Sequence, residues 1–241
     1  MFDLTGRVAL VTGSGQNVGA GIARMLAAQG AFVAVNDVVP DRAAAVAEEV
    51  GGAAVPFDVT DLPSVLAGVD AIGRPVDILV NNAGNGGALG MRPQQFREMD
   101  AEAWEGPIRV NLYGVLHCAK AVVDGMCGRG WGRVITIASG AGTGGVNIGV
   151  SPYSAGKGGG IAFTRTLALE VARTGVTCNS LALGLMTNPD QSVTAALARA
   201  IPVGRTGTPE DIGAACVWLA SDEASWVTGQ TIEINGGSIT T

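Results

Sequence analysis

The sequence has few of the residues that mark nucleic-acid-binding or membrane proteins. It contains 15 lysines and arginines against 21 acidic residues, a formal net charge of −6, so no basic surface is expected for nucleic acid or an anionic membrane. No apolar run approaches the ~20 residues of a membrane-spanning helix, and the start does not resemble a signal peptide. We therefore expect a cytoplasmic protein with a small-molecule partner, and neither nucleic acid nor a membrane among its partners.

Residues that commonly bind metals are also scarce. The four cysteines, at positions 118, 127, 178 and 216, form no Cys-x-x-Cys pair, which argues against a disulfide framework or a zinc site. The one histidine, His117, has no evident acidic partner and is interpreted as a packed or interface residue. We predict that no metal takes part in the function.

Glycine and short apolar runs, in contrast, are abundant, with 37 glycines among the 241 residues. Runs without polar alternation are typical of strands buried on both faces. Strands are predicted at 7–12, 32–36, 53–57, 77–81, 132–139, 176–182 and 231–234. Helices are predicted at 18–29, 41–49, 61–72, 99–127, 153–174 and 208–221. This alternation predicts one α/β domain over residues 1–241, a Rossmann-like doubly wound parallel sheet of seven strands with helices on both faces.

A glycine-rich turn between the first strand and the first helix predicts a dinucleotide site. Backbone N–H groups in such a turn can approach a pyrophosphate at the positive end of the helix. The Gly-x-Gly-x-x-Gly pattern is not matched, because Val18 stands where its last glycine would be. The predicted contacts from this turn are Gly13, Gln16, Asn17, Val18 and Gly19.

The ends of the next strands predict the rest of the nucleotide site. Asp37 ends the second strand, where a carboxylate can accept hydrogen bonds from the adenosine ribose and repel a 2′-phosphate. Arg42 is near enough to receive a 2′-phosphate, which weakens the distinction between the two dinucleotides, but NAD is predicted over NADP. Asp58, beside Val59, could accept from the adenine amino group. The run Asn82, Ala83 and Gly84 follows the fourth strand and is expected to line the same crevice.

The reactive group is predicted around Tyr153 and Lys157, which one helical turn places on the same face. An ammonium near a phenol stabilises the phenolate and lowers the phenol pKa toward neutrality. Tyr153 is predicted to carry the proton to or from the substrate oxygen and is also counted among the cofactor contacts. Ser139 would hold that oxygen, Lys157 would also bind the nicotinamide ribose, and Asn111 could hold a water that links Lys157 to solvent.

These motifs closely resemble the short-chain dehydrogenase/reductase family over essentially the whole chain. The resemblance is carried by VTGSGQNVGAGIA, FDVTD, NNAG, VNLYG, VITIAS, SPYSAGKGG and the tail from GRTGTPED to INGG. It implies strand order 3-2-1-4-5-6-7, a catalytic tetrad of Asn111, Ser139, Tyr153 and Lys157, hydride transfer without metal, and a homotetramer.

The sequence departs from the family pattern at three places. Asn17 occupies a usual glycine position, where its tolerance of left-handed backbone is expected to preserve the loop. The usual Pro-Gly after the sixth strand is replaced by Leu183-Gly184, and Gly184 is counted among the cofactor contacts. Thr187 or Asn188 would contact the nicotinamide carboxamide. Residues 184–207 are long for a strand-to-helix connection and are predicted to be a substrate lid.

Three functions are compatible with this sequence. The leading hypothesis is NAD-linked interconversion of a ketone and a secondary alcohol, with a roomy apolar pocket formed by the Gly140–Gly145 run and by Leu185 and Met186. The nearest alternative is a 3-oxoacyl-(acyl-carrier-protein) reductase, against which Asp37 and the acidic balance count. A non-catalytic dinucleotide-sensing module is the alternative of another class, and the intact Tyr153 and Lys157 disfavour it.

Overall fold

The computed structural model of the protein describes residues 1–84, 91–187 and 190–240. Across these ranges the strands form one parallel sheet of seven, in the order β3-β2-β1-β4-β5-β6-β7, which confirms the predicted fold class and strand order. The strands are β1 Val8–Val11, β2 Phe32–Val35, β3 Ala53–Ala54, β4 Ile78–Asn81, β5 Gly132–Ser139, β6 Val176–Leu183 and β7 Thr231–Ile234.

Helices cover both faces of the sheet. The helices are α1 Asn17–Ala28, α2 Pro40–Val50, α3 Leu62–Ala71, α4 Glu102–Ile108, α5 Gly114–Arg129, α6 Gly140–Thr143, α7 Ser151–Val171, α8 Gln191–Ala198 and α9 Pro209–Ala220. Within the described ranges, each helix is too short or too polar to cross a bilayer.

The core consists of two apolar layers, one on each side of the sheet. One layer packs side chains of α1, α2 and α9 against β1, β2, β5 and β6. The other packs α3, α5 and α7 against the opposite side of the same strands. Every residue of β1, β4 and β6 is buried. The strands β1 and β4 are accordingly almost entirely apolar in sequence, whereas β6 also buries Thr177, Asn179 and Ser180.

Several elements differ from the sequence prediction, among them the short helix α6, which was not predicted. Strand β3 has two residues, not five, since beyond Ala54 the chain no longer follows β2 in the sheet. The helix predicted over 99–127 is interrupted by a π-helical turn, Arg109–Tyr113. Helix α8 lies within the predicted lid and was not predicted; its start is marked by Asp190, whose carboxylate accepts from the backbone N–H groups of Ser192 and Val193.

Candidate active site

The turn between β1 and α1 adopts a backbone that demands small or permissive residues. Gly13 has φ of 60° and Asn17 has φ of 49°, so Asn17 occupies the left-handed conformation expected of it. A side chain at Gly19 would collide with the carbonyl of Gly13 and the side-chain amide of Asn82. The turn is therefore tightly packed, with backbone rather than side chains facing the crevice at the carboxyl edge of the sheet.

The first turn of α1 is suited to an anion. Gln16 precedes the helix without capping it through its side chain, and no acidic residue lies in the first turn. Helix α9 differs, because the Thr208 hydroxyl and two acidic residues already satisfy its positive end. The N–H groups of Asn17, Val18 and Gly19 have no acceptor within the helix, so this end fits the pyrophosphate of a dinucleotide.

Three side chains hold the turn in place. Two of them, Thr12 and Asn36, were not predicted as site residues, and the third, Asn82, was predicted only as a cofactor contact. The Thr12 hydroxyl accepts from the backbone N–H groups of Asn82 and Ala83, both at 3.0 Å. The Asn82 amide donates to the carbonyls of Thr12 and Gly13. The buried Asn36 accepts from the Gly13 N–H and donates to the carbonyls of Val55 and Phe57, which follow β3. Their positions at successive strand ends were the available signal.

Asp37 lies directly beside this turn. One carboxylate oxygen accepts from the N–H of Gly15 at 3.3 Å and the other from the N–H of Val39 at 3.0 Å, and the residue is 5% exposed. A Cβ on Gly15 would lie 2.6 Å from the Cβ of Arg42 and 2.8 Å from Asp37 Oδ2. The aliphatic stem of Arg42 therefore borders the same turn as the Asp37 carboxylate.

Asp58 and Val59 lie at the far side of the crevice. Asp58 is exposed, and its Oδ1 accepts from the N–H of Thr60 at 2.8 Å, so the carboxylate stabilises a turn and keeps its remaining lone pairs toward solvent. The carbonyl of Val59 lies 2.9 Å from Nδ1 of His117. His117 must donate from Nδ1 to this carbonyl, which gives it the packing role that the sequence indicates.

Tyr153 and Ser139 meet at the carboxyl end of β5. Ser139 ends the strand and caps α6, where its hydroxyl accepts from the N–H of Ala141 at 3.2 Å. Tyr153, on the first turn of α7, is half-buried and hydrogen-bonded to Ser139. Two hydroxyl groups thus converge on one point, as the capture of a carbonyl or alcohol oxygen requires.

Lys157 lies below this pair in the interior. Its ammonium donates to the carbonyl of Ile137 at 2.7 Å and lies 5.9 Å from the ring centroid of Tyr153. A Cβ on Gly84 would lie 2.7 Å from Lys157 Nζ and 2.8 Å from Asn111 Oδ1. Gly84 therefore lets both polar groups reach the end of β4, and burial lowers the pKa of Lys157 to about 8.

Asn111 owes its position to the π-helical turn. Its side-chain amide donates to the carbonyl of Pro107 at 2.9 Å, a carbonyl that the backbone N–H of residue 111 would take in a regular α-helix. The side chain replaces the backbone donor, and the helix accommodates an extra residue in that turn. Pro107 itself lies in the preceding turn and donates no N–H. The result brings Asn111 next to Gly84.

The pKa of Tyr153 contradicts one part of the sequence prediction. An ammonium one turn away was expected to lower it, but the pKa is raised, because burial opposes the phenolate more strongly than the Ser139 hydrogen bond favours it. The ammonium is several ångströms from the ring, and its own charge is made costly by burial. In the protein alone, Tyr153 is therefore a protonated phenol at neutral pH.

The predicted lid is fastened at its two ends. Gly184 donates to the carbonyl of Ile234 at 3.0 Å, and the N–H and the hydroxyl of Thr187 both donate to the carbonyl of Gly207 at 2.9 Å. The Thr187 hydroxyl also pairs with Thr206. Asn188, the other candidate for the carboxamide contact, lies outside the described residues.

Known proteins are similar to this chain in sequence and architecture. The family model described as enoyl-(acyl carrier protein) reductase matches residues 13–238. A 3-oxoacyl-[acyl-carrier-protein] reductase FabG of Vibrio harveyi is 38% identical, over 98% of both chains. A gluconate 5-dehydrogenase from Burkholderia cenocepacia, solved with NADP and tartrate, is 34% identical with a TM-score of 0.88 and covers 98% of this chain and 96% of its own. A 3-oxoacyl-[acyl-carrier protein] reductase from Brucella melitensis, solved with bound NAD, is 30% identical with a TM-score of 0.92, covering 99% and 94%.

Proposed function

The chain belongs to the short-chain dehydrogenase/reductase family, and from that premise we propose that it uses NAD(H) and carries the substrate proton on Tyr153. As a member of the family it is an oxidoreductase that acts on carbonyl or alcohol groups. When bound, the nicotinamide supplies or accepts the hydride. The observation that carries the proposal is the pairing of the Tyr153 and Ser139 hydroxyls above the buried Lys157 ammonium.

The protonated state of Tyr153 favours the reductive direction. Because burial raises its pKa, the phenol holds a proton at neutral pH and can donate it to a carbonyl oxygen as that oxygen becomes an alkoxide. Ser139 donates a second hydrogen bond to the same oxygen. Lys157 provides a positive charge that stabilises the phenolate left behind, and the absence of a side chain on Gly84 leaves room for that ammonium at the end of β4.

The preference for NAD(H) rests on Asp37. Its carboxylate is fixed by the N–H groups of Gly15 and Val39, where it can accept from the two hydroxyls of the adenosine ribose and repel a 2′-phosphate. The exposed Arg42 beside it is the residue that could receive such a phosphate. Relatives of this chain have been solved with NADP and with NAD, so both dinucleotides must be compared.

The cofactor proposal is tested by kcat/KM for NADH and NADPH with wild type, Asp37→Ser and Arg42→Ala. We expect wild type to favour NADH by about tenfold or more, equivalent to about 1.4 kcal/mol. Asp37→Ser should lose that preference, whereas Arg42→Ala, the matched control, should keep it. A wild-type enzyme that works better with NADPH would overturn the proposal.

The substrate is proposed to be a ketone or secondary alcohol of small or medium size, and a 3-oxoacyl thioester is the second candidate. Similarity to a 3-oxoacyl-[acyl-carrier-protein] reductase favours the second. So does the rim before α7, where Gln94 donates to the carbonyl of Gly149 at 2.8 Å and brings two segments together. Exposed apolar side chains on these segments, Phe96 and Ile148, could contact an acyl chain.

A substrate panel distinguishes the two classes. NADH consumption is measured with acetoacetyl-CoA, with simple methyl ketones and with a keto-sugar acid, and NAD reduction with the matching alcohols. Turnover of acetoacetyl-CoA well above the other carbonyls would support the 3-oxoacyl assignment, and the reverse order would support the general ketone reductase. Tight NADH binding without turnover of any compound would favour the non-catalytic module.

The lid and the assembly state are also proposals. We propose that residues 184–207 open and close over the substrate. The hydrogen bond from Thr187 to the carbonyl of Gly207 holds the segment together near its two ends, and α8, which lies between these residues, would be the part that moves. Family membership supports a cytoplasmic homotetramer. Sedimentation equilibrium would test the tetramer, and a monomer at all concentrations would contradict it.

A further inference from the structure

The chain after β7 turns back toward the reactive hydroxyls. Asn235 directs this return: its amide donates to the carbonyl of Ile239 at 3.0 Å and to Glu233 Oε2 at 3.1 Å, and its Oδ1 accepts from the N–H of Gly237 at 2.9 Å. Ser238 donates to the Asn235 carbonyl at 2.9 Å. Because Asn235 is only 9% exposed, its three contacts fix the tail against the body of the protein.

This return places one apolar side chain beside the end of β5. Cδ1 of Ile239 lies 2.9 Å from the position that a Cβ on Gly140 would occupy, and 3.9 Å from the corresponding position on Gly144. Gly140 directly follows Ser139, whose hydroxyl pairs with Tyr153. The absence of a side chain on Gly140 creates the space that Ile239 enters.

We propose that Ile239 forms a wall of the substrate pocket and limits the size of the group that the substrate carbonyl carries on the Gly140 side. The inference rests on the proposed function, since it requires the substrate oxygen between Ser139 and Tyr153. With the oxygen held there, the two carbon substituents must extend to either side of the pair. Gly140 offers no side chain on one of these sides, so the branched side chain of Ile239 determines how much space remains.

Two variants with opposite effects test this role. Kinetics are measured for a homologous series of ketones or 3-oxoacyl thioesters whose shortest member the wild type turns over. Ile239→Ala should raise kcat/KM for the bulkier members relative to the shortest by about tenfold, the discrimination that an apolar pocket gives per one or two carbons. Ile239→Phe should lower the same ratio. Thr240→Ala, an exposed neighbour on the same tail, is the control and should leave the ratio unchanged.

Separate measurements distinguish the ways in which the inference could fail. Thermal unfolding and the Kd for NADH should match wild type in every variant, which shows that the tail variants fold and bind dinucleotide. Wild type that turns over no carbonyl would refute the proposed function before the tail is considered. The inference alone would be overturned if wild type were active and Ile239→Ala and Ile239→Phe kept its size preference. It would also be overturned if these variants lost kcat/KM equally for all substrates.

Discussion

Replacing Lys157 with methionine should remove a pH dependence from the stability of the protein. Burial lowers the pKa of this ammonium from 10.5 to about 8, whereas in the unfolded chain it returns to ~10.4. Below pH 8 both states bind the proton, and the folded protein bears the full cost of the buried charge. Between pH 8 and 10.5 the folded state releases the proton first, so the unfolded state binds more protons and stability rises with pH.

The size of this effect follows from the pKa difference. Each pKa unit corresponds to about 1.36 kcal/mol, so between pH 7 and pH 9.5 the free energy of unfolding of wild type should rise by about 2 kcal/mol relative to Lys157→Met. Subtracting the variant removes the contributions of groups that titrate in both proteins. Methionine retains most of the apolar volume of the lysine stem, so the comparison concerns the charge.

Urea denaturation at a fixed protein concentration measures the effect, since concentration changes the stability of an oligomer. Wild type, Lys157→Met and Lys120→Met are compared at several values between pH 7 and pH 9.5. Lys120 is exposed on α5, so its variant should follow wild type at every pH. The reasoning would be refuted if the difference in free energy of unfolding between wild type and Lys157→Met were the same at every pH from 7 to 9.5.

Three further changes test the packing and the turn. Gly68→Ala should lower the free energy of unfolding by about 1–3 kcal/mol, because the new methyl group would overlap the Phe57 ring. Gly128→Ala lies on α5 with open space around it and should raise the free energy of unfolding by about 1 kcal/mol. Equal free energies of unfolding for the two variants in urea denaturation would contradict this prediction. Asn17→Gly should keep the affinity for NADH and Asn17→Val should weaken it, because φ is 49°; fluorescence titration giving one Kd for both would refute the left-handed turn. Arg133→Met should lower the free energy of unfolding by about 2–4 kcal/mol, because the buried guanidinium donates to backbone carbonyls. A decrease below about 0.5 kcal/mol in denaturant titration, the scale of ordinary surface substitutions, would show that these bonds contribute little.

Most of the sheet was predictable because its strands are buried on both faces. A run such as that of β5 has no polar alternation, and this pattern directly reflects the two apolar layers. The π-helical turn at 109–113 was not predictable from periodicity, since the helical pattern continues on both sides of it. Within it the Asn111 side chain donates to the Pro107 carbonyl, and local sequence does not reveal that a side chain rather than a backbone N–H takes that acceptor.

The positions of the candidate site residues were predictable to the extent that they follow strand ends. Ser139, Asn82 and Asp37 all lie at the carboxyl edge, as parallel strands require. The Tyr153 pKa was predicted in the wrong direction, because the i,i+4 spacing indicates closeness and gives no measure of burial. Ile239 was missed for a different reason: its approach to Gly140, far away in the sequence, depends on the path of the tail, which the hydrogen bonds of Asn235 hold.

Transfer of the hydride by a Tyr153→Phe variant is the most direct test of the central claim. Single-turnover reduction of the best carbonyl substrate is followed by loss of NADH absorbance, with the Kd for NADH measured on the same samples. Loss of the proton donor should lower the rate by about 10²–10⁴-fold while NADH still binds with wild-type affinity. A variant that reduces the substrate within about tenfold of the wild-type rate would contradict the assignment of Tyr153 as the proton carrier.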